Sequence, residues 1–380
     1  MGMKLSRALM WGSLGLIAWA HVGYPLAAAA QARLRRYAPR RDEAYLPDVS
    51  LIIAAHDEGT VIGERLQNAL ALDYPREKLE ILVALDGPGD GTRSVVEGFR
   101  EDGVRALDLP RGGKVHAQNA AVDAATGEVL AFSDANSFWQ PDALRLLVRN
   151  LADSEVGYVC GRLELEVESG GEDGEATYWN YELWLREQES ACGSVTAGNG
   201  AIYALRRSSY LKLGPEHGHD IGLPFRLRRR GLRAVFDPEA VARERALPST
   251  QAEWPRKVRM LSRAWWELLR GGLLDPRGQP PEFFAALVSH RLLRYSSGVL
   301  HLVAFASSAA LAPRDRAARA LLAGQVAFLG LAAAGSRGSR LPLARPAWYY
   351  TVVSAASVAG LVRALRRGPD VVWNLSRSPE

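Results

Sequence analysis

Val49–Ala55 (VSLIIAA) is a nearly unbroken apolar run, the pattern of a strand buried on both faces of a sheet. The apolar positions then change period: Val61, Ile62, Leu66 and Leu70 share one face of a helix over Thr60–Leu70. Glu80–Leu85 (EILVAL) predicts a second buried strand, Thr92–Arg100 a helix, and Val104–Leu109 a third strand. Val115–Ala125 is Ala-rich and helical, with Gly127 as a stop signal, and Glu128–Ser133 (EVLAFS) predicts a fourth strand. Pro141–Asn150 opens a further helix with proline in its first turn. Strands alternating with helices, with crossovers of roughly 20–30 residues, predict an α/β fold on a mostly parallel sheet.

The flanks follow another pattern. Ala8–Ala30 is uncharged, mostly apolar and about 23 residues long, enough to cross a bilayer as a helix. A cleaved signal peptide is the competing reading, with Lys4 and Arg7 as its charged start and Ala27–Ala30 as its cleavage region. Arg33, Arg35, Arg36, Arg40 and Arg41 crowd the following stretch, and such clusters stay cytoplasmic, which favours an uncleaved anchor with its N-terminus outside. Three apolar runs lie near the C-terminus, Tyr295–Ala312, Ala320–Gly335 and Pro346–Val362, with Trp348, Tyr349 and Tyr350 placed like an interfacial belt. Each is slightly short for a span, and three spans would leave Arg363, Arg366 and Arg367 outside, so one run is expected at the interface. Phe283–Leu293, with His290, Arg291 and Arg294 in or beside it, reads as a helix in the interface with snorkelling arginines.

Composition adds limits. Apolar residues are 48% and charged residues 23% of the chain, which excludes disorder and a uniformly membrane-buried chain. The net charge of +5 comes from arginines clustered beside the apolar flanks, where they set topology or meet anionic lipid, and no nucleic-acid-binding motif accompanies them. Cys160 and Cys192 form neither a disulfide framework nor a zinc pattern and read as reduced, packed thiols.

In a parallel sheet, ligands sit beyond the carboxyl ends of the strands. His56-Asp57-Glu58 follows the first predicted strand, Asp86 the second and Asp134 the fourth. Gly87-Pro88-Gly89-Asp90-Gly91 does not fit GxGxxG, and Gly113-Lys114 lacks the spacing of a Walker loop. Acids can hold an anionic donor if a divalent metal bridges carboxylate to diphosphate.

These residues resemble the family 2 glycosyltransferases with a GT-A fold. SLIIAAHDEGTVI is similar to that family's first strand and turn, ILVALDGPGDGT to its second-strand segment, and GKVHAQNAAVDAATGEVLAFSDAN to the stretch leading into a metal-binding Asp-x-Asp. The likeness covers about Asp48 to Arg270, and the flanks resemble the membrane-bound polysaccharide-making branch. It implies a Rossmann-like, mostly parallel cytoplasmic GT-A domain between transmembrane helices: an anchor over residues 1–41, the transferase domain over 42–281, and membrane or interfacial helices over 282–380.

The resemblance also implies roles. Asp86 matches the acid that recognises the nucleobase, commonly uracil, with Ala55 and Glu58 bordering it. Lys114 matches a lysine near the donor phosphates, and Asp134 the metal-binding acid. The motif here reads Asp134-Ala135-Asn136, and Asn136 offers a neutral oxygen to the metal, Mg2+ or Mn2+. Thr196–Arg207 resembles a strand-and-turn segment near the donor sugar. His219-Asp220 matches the segment of the catalytic acid, with Asp220 as general base and His219 in place of an acid; with His217, it reads as a loop residue rather than a metal ligand. Arg256 and Arg259 match the polar positions of Gln/Arg-x-x-Arg-Trp and would contact the donor. Met260 stands where tryptophan is expected, a departure that bears on processivity, and Trp265 and Trp266 are candidates to face the acceptor or the bilayer.

The implied activity is an inverting, metal-dependent transfer from a nucleotide diphosphate sugar to a lipid-linked or glycan acceptor. It would take place at the cytoplasmic face of a multi-pass inner-membrane protein that touches membrane lipids and no nucleic acid. A processive exopolysaccharide synthase and a non-catalytic nucleotide-sugar-binding subunit are the alternatives.

Overall fold

The computed structural model describes residues 2–166, 173–245, 250–339, 341–369 and 371. Helix α1 (Met3–Ala18) runs through a π-helical turn, Trp19–Gly23, into α2 (Tyr24–Leu34), one continuous helix of 32 residues. The sheet domain follows as β1 (Val49–Ala55), α3 (Ile62–Leu70), β2 (Leu79–Asp86), α4 (Thr92–Glu97), β3 (Val104–Leu109), α5 (Lys114–Ala124), β4 (Val129–Asp134), β5 (Phe138–Trp139), α6 (Ala143–Arg149) and β6 (Val156–Glu166). It continues with α7 (Asp173–Ala191), β7 (Ile202–Arg206), α8 (His219–Arg229) and β8 (Arg233–Arg245).

Eight strands form one sheet in the order β3-β2-β1-β4-β7-β6-β8-β5. The pairs β1–β2, β1–β4, β2–β3 and β6–β8 are parallel, whereas β4–β7, β6–β7 and β5–β8 are antiparallel. Strand alternation sends odd and even positions to opposite faces. Leu51 and Ile53 join Leu66, Leu144 and Trp139 in one core, and Ile52 joins Leu82, Leu130, Phe132, Tyr203 and Leu223 in the other. This is the α/β, GT-A-like architecture that the apolar runs and the resemblance imply.

Strand directions determine where the chemistry sits. β1, β2 and β4 all end at one edge. β7 runs against β4, with Ser133 opposite Ile202, so the chain entering β7 arrives at that same edge. β6 is antiparallel to β7, and β8 parallel to β6, so the end of β8, where Glu244 pairs with Leu165, reaches that edge too.

The helical part comprises α9 (Thr250–Leu269), α10 (Pro281–Ala286), a π-helical segment Leu287–Leu292, α11 (Leu293–Tyr295), α12 (Ser297–Leu311), α13 (Arg316–Gly335) and α14 (Ala344–Arg367). Among the described residues, Met3–Leu34 and Arg316–Gly335 are long and apolar enough to cross a membrane, and Ser297–Leu311 is a shorter apolar helix. The Pro346–Val362 run belongs to α14, which lies against α9. At Gly360 the two backbones come so close that a Cβ would sit 2.9 Å from the Ser262 nitrogen. Trp265 is buried in that seam and donates from Nε1 to the Ser357 carbonyl at 3.0 Å, so it faces neither acceptor nor bilayer.

A second expectation is corrected at the α10–α11 junction. Arg291 and Arg294 do not snorkel; both are buried. The reason is two glutamates on α7. Glu182 pairs with Arg294 and with His290 Nε2 (3.3 Å), and Glu189 with His290 Nδ1 (2.7 Å). Arg291 donates to Thr196 Oγ1 at 2.9 Å. Burial alone would raise the Glu189 carboxyl. The charge and hydrogen bond of His290, then Arg291 and the Thr196 N–H, outweigh it and hold the group at about 2.

Candidate active site

The first acid cluster is built by two adjoining turns. After β1, Asp57 adopts a left-handed backbone (φ 51), a conformation open to Asp because its side chain bonds locally, here accepting the Gly89 N–H at 2.7 Å. Asp90 answers from the other turn, accepting the Gly59 N–H at 2.9 Å, while the Glu58 N–H donates to Thr92 Oγ1 at 2.8 Å. Glu58 and Ala55 are both buried behind this cross-tie. His56 donates from Nδ1 to the Asp86 carbonyl at 2.8 Å, fixing the end of β2.

Asp86 is fully buried, and its carboxylate accepts the Gly112 N–H at 2.7 Å and the Gly113 N–H at 2.9 Å. Gly113 holds φ 90, a left-handed backbone disfavoured for any side chain, so the glycine lets the loop before α5 fold onto Asp86. The loop delivers Lys114 to the start of α5, where its ammonium bonds Asp134 Oδ1 at the end of β4. Lys114 also lies 3.5 Å from the Gly200 carbonyl. Asn136 is half-buried in the turn directly after Asp134.

Asp220 occupies the first turn of α8. Its carbonyl accepts the Gly198 N–H at 2.7 Å, which ties it to the 196–200 segment that Lys114 approaches at Gly200. Gly198 is obligatory there, since a Cβ would lie 2.0 Å from Tyr158 Oη. Burial pushes the Tyr203 hydroxyl far above its ordinary range, and Tyr158, Tyr210, Asp134 and Asp220 push it further.

His219 is not a loop residue. It opens α8, is buried, and sits edge-on to Phe132, with Nδ1 3.0 Å from Tyr203 Oη and Nε2 3.3 Å from Tyr210 Oη. Burial, with the charges of Lys114 and Arg226, lowers its pKa to about 3, so the ring is neutral at ordinary pH. His217 bonds the buried Glu267 at 2.9 Å and is likewise structural.

Sequence reasoning missed Glu244. It is buried at the end of β8, and its carboxylate accepts from Ser137 Oγ. Burial and the neighbouring Asp134 raise its pKa, against lowering contributions from Ser137, Arg256 and Lys114. Arg256 on α9 thus acts electrostatically on Glu244, while Arg259 stands half-buried three residues on. Nothing local marks Glu244, because it meets Ser137 across 107 residues of chain.

Among the described residues, no group of three or more His, Cys, Asp or Glu forms a ready-made metal cage. The oxygen donors at the corner still suit a hard divalent cation, which typically takes one or two carboxylates and completes its shell from substrate phosphates. Asp134 already accommodates a cation, the Lys114 ammonium.

Acids in the turn after β1, at the ends of β2 and β4 and in the first turn of α8 thus accompany a sheet of the GT-A type. Residues 50–214 match the family described as Glycosyl transferase family 2. The fold is similar to the mannosyltransferase PcManGT from Pyrobaculum calidifontis, solved with GDP-Man and Mn2+, with a TM-score of 0.75 and 27% identity over 94% of this chain and 99% of that one. The sequence is also similar to the beta-monoglucosyldiacylglycerol synthase of Trichormus variabilis, 25% identical over 74% of this chain and 67% of the relative. The poly-beta-1,6-N-acetyl-D-glucosamine synthase of Staphylococcus aureus is 24% identical over 59% of this chain and 56% of its own. The chain is a glycosyltransferase with a family 2 domain, related to glycolipid and polysaccharide synthases.

Proposed function

We propose that this chain transfers a sugar, with inversion, from a nucleotide diphosphate donor to a lipid-linked or glycan hydroxyl at the cytoplasmic face of a membrane. One observation carries the reading: Asp134 and Asp220 flank a single short segment, Lys114 on Asp134 approaching the Gly200 carbonyl and the Gly198 N–H bonding the main-chain carbonyl of Asp220. A leaving-group clamp and a general base need that proximity, because the diphosphate oxygen that leaves and the acceptor oxygen that attacks lie on opposite sides of one sugar carbon.

In this reading Asp86, with Ala55 and Glu58 behind it, borders the nucleobase. Lys114, Arg256 and Arg259 bind the diphosphate. Asp134 and Asn136 hold a divalent cation, Mg2+ or Mn2+, which when bound neutralises charge on the departing diphosphate. Asp220 accepts the acceptor hydroxyl's proton as its oxygen attacks, a contribution typically of about 10²–10⁴-fold. The bound GDP-Man and Mn2+ of the mannosyltransferase support a nucleotide sugar and a divalent cation here.

Two features support the membrane. The 32-residue α1–α2 helix exposes Trp11, Leu16, Trp19, Val22 and Leu26, and α13 exposes Val326, Phe328 and Leu329. Such surfaces are stable in contact with lipid. Arg33, Arg35 and Arg36 then meet the headgroups, while Arg41 turns inward to Asn150 (3.1 Å). Holding the domain at the bilayer brings a lipid-linked acceptor to the donor at high effective concentration.

The test is a melting screen of uridine and guanosine diphosphate sugars with and without Mn2+. A donor present at 100 times its Kd stabilises the fold by about 2.7 kcal/mol. The reading predicts a Mn2+-dependent rise for at least one donor; no rise with any would defeat it.

A further inference from the structure

The metal corner has a charge deficit. The motif ends in Asn136, so β4 brings a single carboxylate, Asp134, where a divalent cation must be held against two cationic side chains, Lys114 and Arg256. The sheet supplies a second carboxylate from elsewhere. β8 ends at the same edge as β4, and β5, which begins one residue after Ser137, pairs with β8 so that Phe138 lies opposite Arg243. That register brings Glu244 beside the Asp134–Ser137 turn, whose closing contact is the Ser137 N–H 3.3 Å from the Asp134 carbonyl. Ser137 Oγ then bonds one oxygen of Glu244.

Burying a carboxylate is costly unless it is paired or coordinates a cation. Glu244 is buried, with Arg256 and Lys114 near enough to act on it electrostatically. Once a diphosphate engages those two cations, Glu244 and Asp134, each near enough to act on the other's charge, are left uncompensated. A divalent cation held by both would remove that penalty. Two carboxylates, two cations, a divalent metal and a diphosphate leave the pocket close to neutral.

We infer that Glu244 is a ligand of the divalent cation, supplying from β8 the second carboxylate that Asn136 does not bring to the end of β4. The inference rests on the metal-assisted donor reading above and adds to it a ligand from outside the Asp-x-Asn motif. Its geometry is set by Ser137, which leaves the other oxygen of Glu244 for the metal.

The test titrates Mn2+ into the full-length chain in detergent, in the presence of UDP or GDP, and reads free Mn2+ by electron paramagnetic resonance. Glu244→Gln is compared with the unmodified chain, with Ser137→Ala as a second variant that loosens Glu244 and keeps its charge. Glu244→Gln is expected to weaken nucleotide-dependent Mn2+ binding by about tenfold or more, and Ser137→Ala by less, in line with the roughly 10–100-fold cost of disturbing groups around a metal. Melting in the absence of metal checks that each variant is folded, and a misfolded Glu244→Gln leaves Ser137→Ala and Glu244→Asp to decide by the same titration. Unchanged Mn2+ affinity overturns the inference. So does an equal loss of nucleotide affinity with and without Mn2+, which would make Glu244 a holder of Arg256. If the unmodified chain binds no Mn2+ with either nucleotide, the metal-assisted reading itself has failed.

Discussion

Two sets of buried carboxylates in this protein are gripped by different parts of the chain, one by a loop of its own sheet edge and one by helices from beyond the sheet. The carboxylate of Asp86 on β2 accepts from the backbone N–H groups of Gly112 and Gly113. Glu182 and Glu189 on α7 are neutralised by His290, Arg291 and Arg294 from the helical part. A carboxylate gripped by the N–H groups of a folded loop is held in place before any ligand arrives, which suits a ligand site. A carboxylate satisfied by a distant cation is a joint, holding together the parts that contribute the charges. The second arrangement fastens the helices to Thr196 and so to the segment that ends beside Lys114 and Asp220.

The largest effect is expected at the joint. Arg294→Met leaves Glu182 buried without its guanidinium, and losing one partner of a buried pair costs about 3–5 kcal/mol. Chemical denaturation should show that loss, with Glu182→Gln/Arg294→Met recovering much of it. A double variant no better than the single would mean that the pair is not the fastening.

A smaller loss is expected where the segment touches the sheet. Gly198→Ala drives a methyl into Tyr158 Oη and should cost about 1–3 kcal/mol. Tyr158→Phe should relieve part of it and be nearly neutral alone, because Tyr158 Oη has no hydrogen-bond partner among the described residues. A wild-type melting temperature in Gly198→Ala would contradict the close contact.

The pH dependence separates the two regions more finely. The His219 pKa is lowered from 6.5 to about 3, so between those values the unfolded chain binds a proton that the folded chain refuses. Stability therefore falls as pH drops through that window, by at most about 1.4 kcal/mol per unit from this one group. Glu189, depressed from 4.5 to about 2, gives stability that is present above 4.5 and lost as pH falls towards 2. A pH series of melting temperatures should thus lose its slope between 6.5 and 4.5 in His219→Gln and keep the steeper fall below 4.5. The smallest effect is at the surface: Arg93→Ala, which opens the exposed pair with Glu97, should leave the melting temperature unmoved.

The contrast also explains what the sequence discloses. The β1, β2 and β4 runs are legible because a buried parallel strand must be apolar throughout, and Asp86 and Asp134 stand out because each interrupts such a run at its end. The helices were legible in position but not in partnership. Arg291 and Arg294 look like interfacial arginines until α7 is seen to place Glu182 and Glu189 against them. Glu244 is silent for the same reason: it lies in the charged Arg243-Glu244-Arg245 end of β8, and only strand order brings that end to the edge where β4 ends. Local pattern reports burial; it does not report which distant charge makes burial tolerable.

The central claim is that Asp220 and the metal corner serve one reacting sugar. Single-turnover transfer by Asp220→Asn, with donor and Mn2+ saturating, tests it most directly. The account predicts unchanged donor binding and a rate lowered by about 10²–10⁴-fold. Transfer at the unmodified rate, or loss of donor binding in place of turnover, would contradict it.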